Sequence, residues 1–385
     1  MSIKLNFSKK YWQAVAVLTG YVIGVGMFGL PFLISRAGVL TFFILIAVLG
    51  SVQYLLHLIY ANLIIVTREY HRLPGYAGIY LGKKGKVVIF LAKMIGNGGA
   101  LLAYIIITGI FLNQLLGPIF GGSEFIYTTV LFALEAVIIY FGIKTIAKVE
   151  FFMTGLLLLV VLLIIIKGWG AVEAANFTMV NWKYFLLPYG AILFAVDGGG
   201  SIPIIVKLLR RDKKKIKSAV RTGTFLSVLV IILFTLIIVG ISGANTTSDA
   251  LVGVRNVLDD GVVLFSLIFG VLTMITSFLL VAESIKETLW WDFKLNKRLA
   301  WALAVFLPYL LYMLGLKNLI AVISFAGGVA GGFVVIVLIL IFTKLRKQPE
   351  KLVLFKYKPN TFILYTLISL FVAGIAYEIY YFFIK

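Results

Sequence analysis

The sequence predicts an all-α polytopic membrane protein made of two inverted halves of five spans, with an eleventh helix added. Three observations carry that prediction. Of 385 residues, 62% are hydrophobic and 13% charged, with a mean hydropathy of +1.09, whereas soluble domains carry about 25% charged residues. Apolar runs of about 20 residues, the length that crosses a bilayer core as helix, recur throughout, without the alternating segments of about 10 residues that mark a membrane β-barrel. The first and sixth runs are both broken at mid-depth. Five spans separate the breaks, an odd number, so the two halves must run in opposite directions.

The spans fall at about 11–36, 39–66, 87–116, 125–143, 150–167, 184–208, 222–242, 262–285, 299–316, 318–343 and 361–383. They form one transmembrane unit, with repeats over about 11–167 and 184–343 and the helix 361–383 outside them. The first span follows a basic "MSIKLNFSKK", but its apolar stretch is longer than a signal-peptide core and lacks a small-residue cleavage pattern, so it is retained. Within it "GYVIGVGMFGLPF" (20–32) places Gly24 about 14 residues in, about 20 Å deep at 1.5 Å per residue. The outer half-helix is expected to start near Phe28. Free N–H groups of Gly26, Met27 and Phe28, at the positive end of a helix dipole, would suit a carboxylate. The carbonyls of Tyr21 to Gly24, Ile23 and its neighbour Val25 included in the same lining, carry the opposite polarity.

The second span holds His57, read as a satisfied core residue. In the third, "AKMIGNGGALLAYIIITG" (92–109) offers Asn97, the Gly98-Gly99 pair and Tyr104 to a side-chain pocket, while Lys93 is expected to snorkel to the cytoplasmic interface. Glu135 in the fourth span is read as making a structural hydrogen bond. The fifth, "EFFMTGLLLLVVLLIII" (150–166), has no mid-depth lysine to mimic a sodium charge.

The sixth span, "PYGAILFAVDGGGSIPII" (188–205), is interrupted by Asp197, three glycines and Pro203. Carbonyls of Phe194 and Ala195 and the chain around Asp197 and Gly198 suit an ammonium or a small cation. Asp197 is the acid at mid-depth beside a break, and an intramembrane carboxylate is a functional candidate by default. It holds a substrate amine, carries a coupling proton, or caps the inner half-helix, a role Ser201 also fits. In the eighth span Thr276 and Ser277 offer hydroxyl oxygens to a sodium ion shared with first-span carbonyls of Gly20 and Ile23; ordinary helix back-bonding is the alternative. Glu283, with Lys286 and Glu287, is expected as a solvated or gating ion pair. The tenth span's "FAGGVAGGF" (325–333) reads as helix packing, with Ser324 and Phe325 just before it as pocket-liners. Of the outer loops, 168–183 and 243–261, the second is expected to hold a short helix capped by Thr247 or Ser248.

A net charge of +20 would suggest nucleic acid in a soluble protein. Here 29 of 35 Lys and Arg fall on the inside if the N-terminus is cytoplasmic, leaving Arg36, Lys167, Lys183, Arg255, Lys317 and Lys385 outside. That is the positive-inside rule, so no nucleic-acid partner is needed; the run "KLLRRDKKKIKSAVR" (207–221) faces anionic lipid instead. The C-terminus is then outside. There is no cysteine, hence no disulfide or thiolate chemistry, and no acyl-transfer or metal motif, which argues against an enzyme.

Unwound backbone persists in a membrane only where protein buries it or it lines a wet cavity, and a matched pair of breaks in inverted halves is the sequence sign of a secondary transporter's site. Opposed half-helix ends suit a zwitterion. At this point "IGVGMFGLPFLISRAG" (23–38), "LFAVDGGGSIPIIVKLLRRDKKKIKSAVRTGT" (193–224) and "ITSFLLVAESIKETL" (275–289) resemble the amino acid/polyamine/organocation superfamily. Within it they are similar to hydroxy and aromatic amino acid permeases and amino acid/auxin permeases. The resemblance implies a LeuT-type fold of five-plus-five inverted repeats, alternating access, and amino acid uptake across the cytoplasmic membrane driven by Na⁺ or H⁺, with no cofactor beyond such an ion. Asp197 departs from it, standing where relatives often have a histidine or neutral residue. The expected substrate is a neutral amino acid; the oligomeric state is unknown. The alternative from another class is a membrane amino acid sensor that binds the same ligand without net transport.

Overall fold

A computed structural model describes residues 9–67, 69, 71–142, 146–254, 260–355 and 360–384. Arg255 and Lys385, two of the cations expected outside, lie beyond the described residues, as does the segment 1–8. All regular structure among the described residues is helical.

The first span is two helices, α1 (Lys9–Val22) and α2 (Val25–Ala37), meeting at 53° across Ile23 and Gly24. The second span is α3 (Val39–Val66). Helix α4 (Leu73–Phe120) turns at Gly82, where φ is 77°, and its part beyond that turn is the third span. The fourth and fifth are α5 (Glu124–Phe141) and α6 (Ile146–Gly168). The sixth is again divided, into α7 (Tyr189–Ala195), a 3₁₀ turn at Gly199–Ser201 and α8 (Ile202–Leu208). Pro203 stands at the start of α8, where its missing N–H is no loss. Three spans follow: α9 (Lys213–Ser242), α10 (Asp260–Glu287) and α11 (Lys297–Met313). The tenth is α12 (Leu319–Phe325), a π-helical stretch at Ala326–Gly331 and α13 (Gly332–Leu345); the eleventh is α14 (Thr361–Ile384).

Among the described residues, eight helices can each cross a membrane by length and composition, and the bent α1–α2 pair makes a ninth. The two other expected spans are present as α6, of 23 residues, and α11, of 17. Apolar side chains such as Phe43, Val130, Leu162, Leu303 and Leu370 stay exposed on the outside of the bundle, as lipid contact requires.

The broken helices sit inside. Helix α1 packs on α9 and α8, α2 on α9 and α7, and α7 on the π-helical stretch, while α4 and α10 pack on each other alongside. The loop 168–183 folds over the turn between α2 and α3, where the Thr178 carbonyl accepts the Val39 N–H and the Ala37 carbonyl accepts the Asn181 N–H, both at 2.9 Å. In the other loop two 3₁₀ turns, Gly243–Asn245 and Val252–Val254, are found among the described residues, and the second is the short helical piece that follows 247 and 248. Its cap is Asp249, whose Oδ1 accepts the Val252 N–H at 2.8 Å, and not Thr247 or Ser248. A carboxylate accepts more strongly than a hydroxyl, and Thr247 donates to Asp249 instead.

Candidate functional site

The two breaks touch each other. A Cβ on Gly26 would lie 2.8 Å from the Ala195 Cα and 2.9 Å from Phe194 Cδ1, so the start of α2 and the end of α7 approach as closely as backbones allow only because residue 26 has no side chain. The outer half-helix begins at Val25, three residues before the expected Phe28. Extended backbone at Gly24 (φ −141°, ψ −150°) lets the helix restart at once, and the Gly24 carbonyl already accepts the Met27 N–H at 3.1 Å. The N–H groups available to a ligand are therefore those of the residues at 24–26, and Met27 and Phe28 are corrected out of that role. On the sixth span the Phe194 carbonyl accepts the Asp197 N–H at 3.3 Å, a long bond that uses only part of its capacity.

Between the breaks lies a cavity. Of the residues singled out by sequence for the ligand, Tyr21, Gly24, Val25, Gly26, Asn97, Tyr104, Phe194, Ala195 and Asp197 line it. The others are elsewhere. Ile23 and Met27 are fully buried, and Phe28 packs edge-on against Phe111 and Phe234, forming an apolar plug beside the site. Gly198 turns its N–H away to His57, and Ser324 lines a separate cavity with Arg36, Asn318 and Glu378. The remaining wall is small: Gly96 and Ala100 of the third span face Ala326, Gly327, Ala330 and Gly331 of the tenth. The glycines read as helix packing do pack, Gly327 close on Phe194, but the π-helical widening also gives that segment a face on the cavity.

Asp197 uses its two oxygens differently. Oδ1 accepts the Gly199 N–H at 2.9 Å and so caps the 3₁₀ turn, while Oδ2 lies 3.6 Å from Lys93 Nζ. Lys93 does not snorkel to the interface. Its side chain is 21% exposed and lines the cavity, because α4 carries it alongside the sixth-span break, within reach of the carboxylate there. His57, 1% exposed, is satisfied as expected, but by the site itself. Its Nε2 accepts the Gly198 N–H at 3.1 Å, which leaves Nδ1 to carry the proton toward Thr224 Oγ1 at 3.4 Å.

A second cavity shares Tyr21, Lys93, Asn97, Asp197, Gly331 and Val334 with the first and extends to Arg72 and Thr288. The site is thus open toward one end of the bundle. At that end Arg72 Nη2 meets Glu287 Oε2 at 2.8 Å, joining the start of α4 to the end of α10. Glu283 and Lys286 do not form a solvated pair. Lys286, 2% exposed, contacts Glu283 at 2.6 Å and donates to the Ile139 carbonyl at 2.9 Å, tying α10 to α5. Glu135 is buried on α5 and makes neither a hydrogen bond nor an ion pair among the described residues, so the expected structural bond is not found there.

Thr276 Oγ1 donates to the Thr273 carbonyl at 2.9 Å, the back-bonded alternative, and Ser277 beside it is 7% exposed. Gly20 and Ile23, the other half of the suggested cation site, are buried on the first span.

Sequence reasoning passed over Glu378. This acid of α14 is 2% exposed, and its Oε1 accepts the Gly190 N–H at 3.0 Å. Gly190 is the second residue of α7, whose first N–H groups have no partner within the helix. A Cβ on either Gly190 or Gly328 would lie 2.9 Å from Glu378 Cδ, so the carboxylate occupies a slot kept free of side chains. The signal was available: one acid in the apolar run "AGIAYEIYYFF" (373–383).

Three comparisons bear on the arrangement. The profile of the tryptophan/tyrosine permease family matches residues 7–378. A crystal structure of MhsT in complex with L-phenylalanine superposes at a TM-score of 0.72 with 14% identity, over 98% of this chain and 99% of that one. Mhp1, a nucleobase-cation-symport-1 family transporter in a closed conformation with bromovinylhydantoin bound, superposes at 0.65 with 13% identity, over 96% and 91%. At such identities these likenesses speak for the fold, which is the LeuT-type arrangement with broken first and sixth helices. No curated protein matches the sequence.

Proposed function

The chain belongs to the tryptophan/tyrosine permease family, a multi-pass membrane transporter rather than an enzyme, and on that premise we propose that it imports an aromatic amino acid by alternating access. The observation that carries the reading is the cavity between the breaks, with the N-terminus of α2 on one side and Asp197 on the other. The substrate carboxylate sits on the backbone N–H groups at 24–26, where the helix dipole favours an anion. Its ammonium sits on Asp197, with the carbonyls of Phe194 and Ala195 beside it. The small residues of the third and tenth spans leave room for a large ring between them, in keeping with the family's description and with the L-phenylalanine of the MhsT complex.

The open end carries Arg72 and the loop after α10, which positive-inside counting assigns to the cytoplasm. On that orientation, N-terminus inside, the cavity faces inward, and the plug of Met27, Phe28 and Phe111 closes it from outside. The driving ion is Na⁺ or H⁺. Sodium would use Gly20, Ile23, Thr276 and Ser277, with Thr276 giving up its bond within the helix; a proton would use a carboxylate.

The test is uptake of labelled tryptophan, tyrosine and leucine into proteoliposomes in sodium-containing and sodium-free buffer at several pH values. Saturable uptake and counterflow of the aromatic substrates over leucine are expected. Asp197→Asn is expected to weaken binding by ten- to a hundredfold, as loss of a charge-assisted bond worth about 1.5–3 kcal/mol implies. Binding without counterflow would make the chain a sensor and end the transport reading.

A further inference from the structure

We propose that Lys93 is the resident counter-cation of Asp197: its ammonium takes the place of the substrate's ammonium while the site is empty, and so lets the unloaded transporter return. The proposal rests on the reading that Asp197 receives the substrate's amine.

The geometry supports an exchangeable partner rather than a structural one. Lys93 Nζ lies 3.6 Å from Asp197 Oδ2, in contact but longer than the 2.7–2.9 Å of a locked charge-assisted hydrogen bond. Both side chains line both cavities, so the ligand's path runs past the pair. No other lysine or arginine comes within 4 Å of Asp197 among the described residues. His57, on the other side of the break, spends Nε2 accepting the Gly198 N–H and brings no positive charge in that state. The lysine is held by the third span and the carboxylate by the sixth-span break, so the contact joins two separate elements. A four-carbon stem lets Lys93 withdraw toward the open end when a ligand enters.

The physical need is plain. A lone carboxylate at mid-depth is costly to carry through a closed state. A bound amino acid neutralises it with its own ammonium, and after release something else must. Lys93 is positioned to do so, and the loaded and empty forms then carry the same charge balance at Asp197.

Net flux requires the empty form to return, whereas exchange with substrate on both sides does not. The full-length chain carrying Lys93→Met in proteoliposomes therefore gives the test, with labelled tryptophan as probe. The ratio of net uptake to counterflow exchange is expected to fall at least tenfold, and Lys93→Arg to restore most of it. A ratio equal to that of the wild type overturns the proposal, since a residue that only supports the fold lowers both fluxes together. Should Lys93→Met fail to fold, Lys93→Gln provides the same ratio. Asp197→Asn binding tryptophan as tightly as the wild type would instead show that the amine is held elsewhere; that result removes the underlying reading whatever Lys93 does.

Discussion

Replacing Gly26 by alanine tests whether the contact between the breaks forms the site. The added Cβ would stand 2.8 Å from the Ala195 Cα, where carbon atoms prefer about 3.5–4.0 Å. The neighbour is backbone and has no rotamer to escape into, so α2 and α7 must part by about 0.7–1.2 Å. Overpacking of this kind costs about 1–3 kcal/mol of stability. The same displacement pulls the N–H groups at 24–26 away from Asp197 on the facing strand of chain, and a ligand spanning both loses much of one charge-assisted bond, about 1.5–3 kcal/mol. Affinity should therefore drop about ten- to a hundredfold. Gly98→Ala is the matched control, because its Cβ would meet no atom within 4 Å; as an ordinary helical position it should gain about 0.5–1 kcal/mol. The assay is equilibrium binding of labelled tryptophan to purified protein, with thermal denaturation alongside. Tryptophan affinity within twofold of wild type for Gly26→Ala would refute the argument that the two breaks jointly hold the ligand.

Two further outcomes follow from buried polar contacts. Glu378→Ala leaves the Gly190 N–H without its acceptor and should cost about 1–3 kcal/mol, read as a lower melting temperature in detergent, while Glu378→Gln keeps a carbonyl there and recovers most of it. His57→Ala strands the Gly198 N–H in the same way, and because Gly198 adjoins Asp197 the loss should appear in tryptophan affinity as well as in melting; an unchanged affinity would separate His57 from the site.

The fold was legible because its two strongest determinants are one-dimensional. Span length follows from bilayer thickness, and a helix can be interrupted only by residues such as Gly24, Gly26 or the run at 198–200 that visibly interrupt it. Loop-borne cations supplied orientation as a pattern rather than a contact. The site was legible where backbone makes it, at Gly24, Val25, Gly26 and Ala195, and less so where side chains converge. Lys93 lies 11 residues beyond the turn at Gly82, roughly 16 Å of helix, a depth from which a long side chain reaches either the interface or a buried carboxylate. Sequence gives the length of that arm and not its direction. His57 was similarly correct in kind and silent in partner, since nothing local links position 57 to position 198. The start of α2 was misjudged because the extended conformation of Gly24 shortens the break to two residues.

Asp197 and Glu378 show how this chain tolerates carboxylates in an apolar bundle. Each accepts a backbone N–H from the sixth span, Gly199 for one and Gly190 for the other. Both donors are free because each opens a helical segment: Gly190 lies in the first turn of α7, where the span begins, and Gly199 opens the turn after the break. A continuous span would consume the Gly199 N–H internally, leaving Asp197 to water or to cations. The division of the span therefore creates the donor that Asp197 uses, while Glu378 uses the span's outer start, and the two acids also differ in what completes them. Glu378 is enclosed in a slot bounded by Gly190 and Gly328 and joins the eleventh helix to the sixth and tenth, which suits a fixed joint. Asp197 faces the cavity, where a mobile lysine or a passing ammonium can complete it, and that is the property a transport site needs.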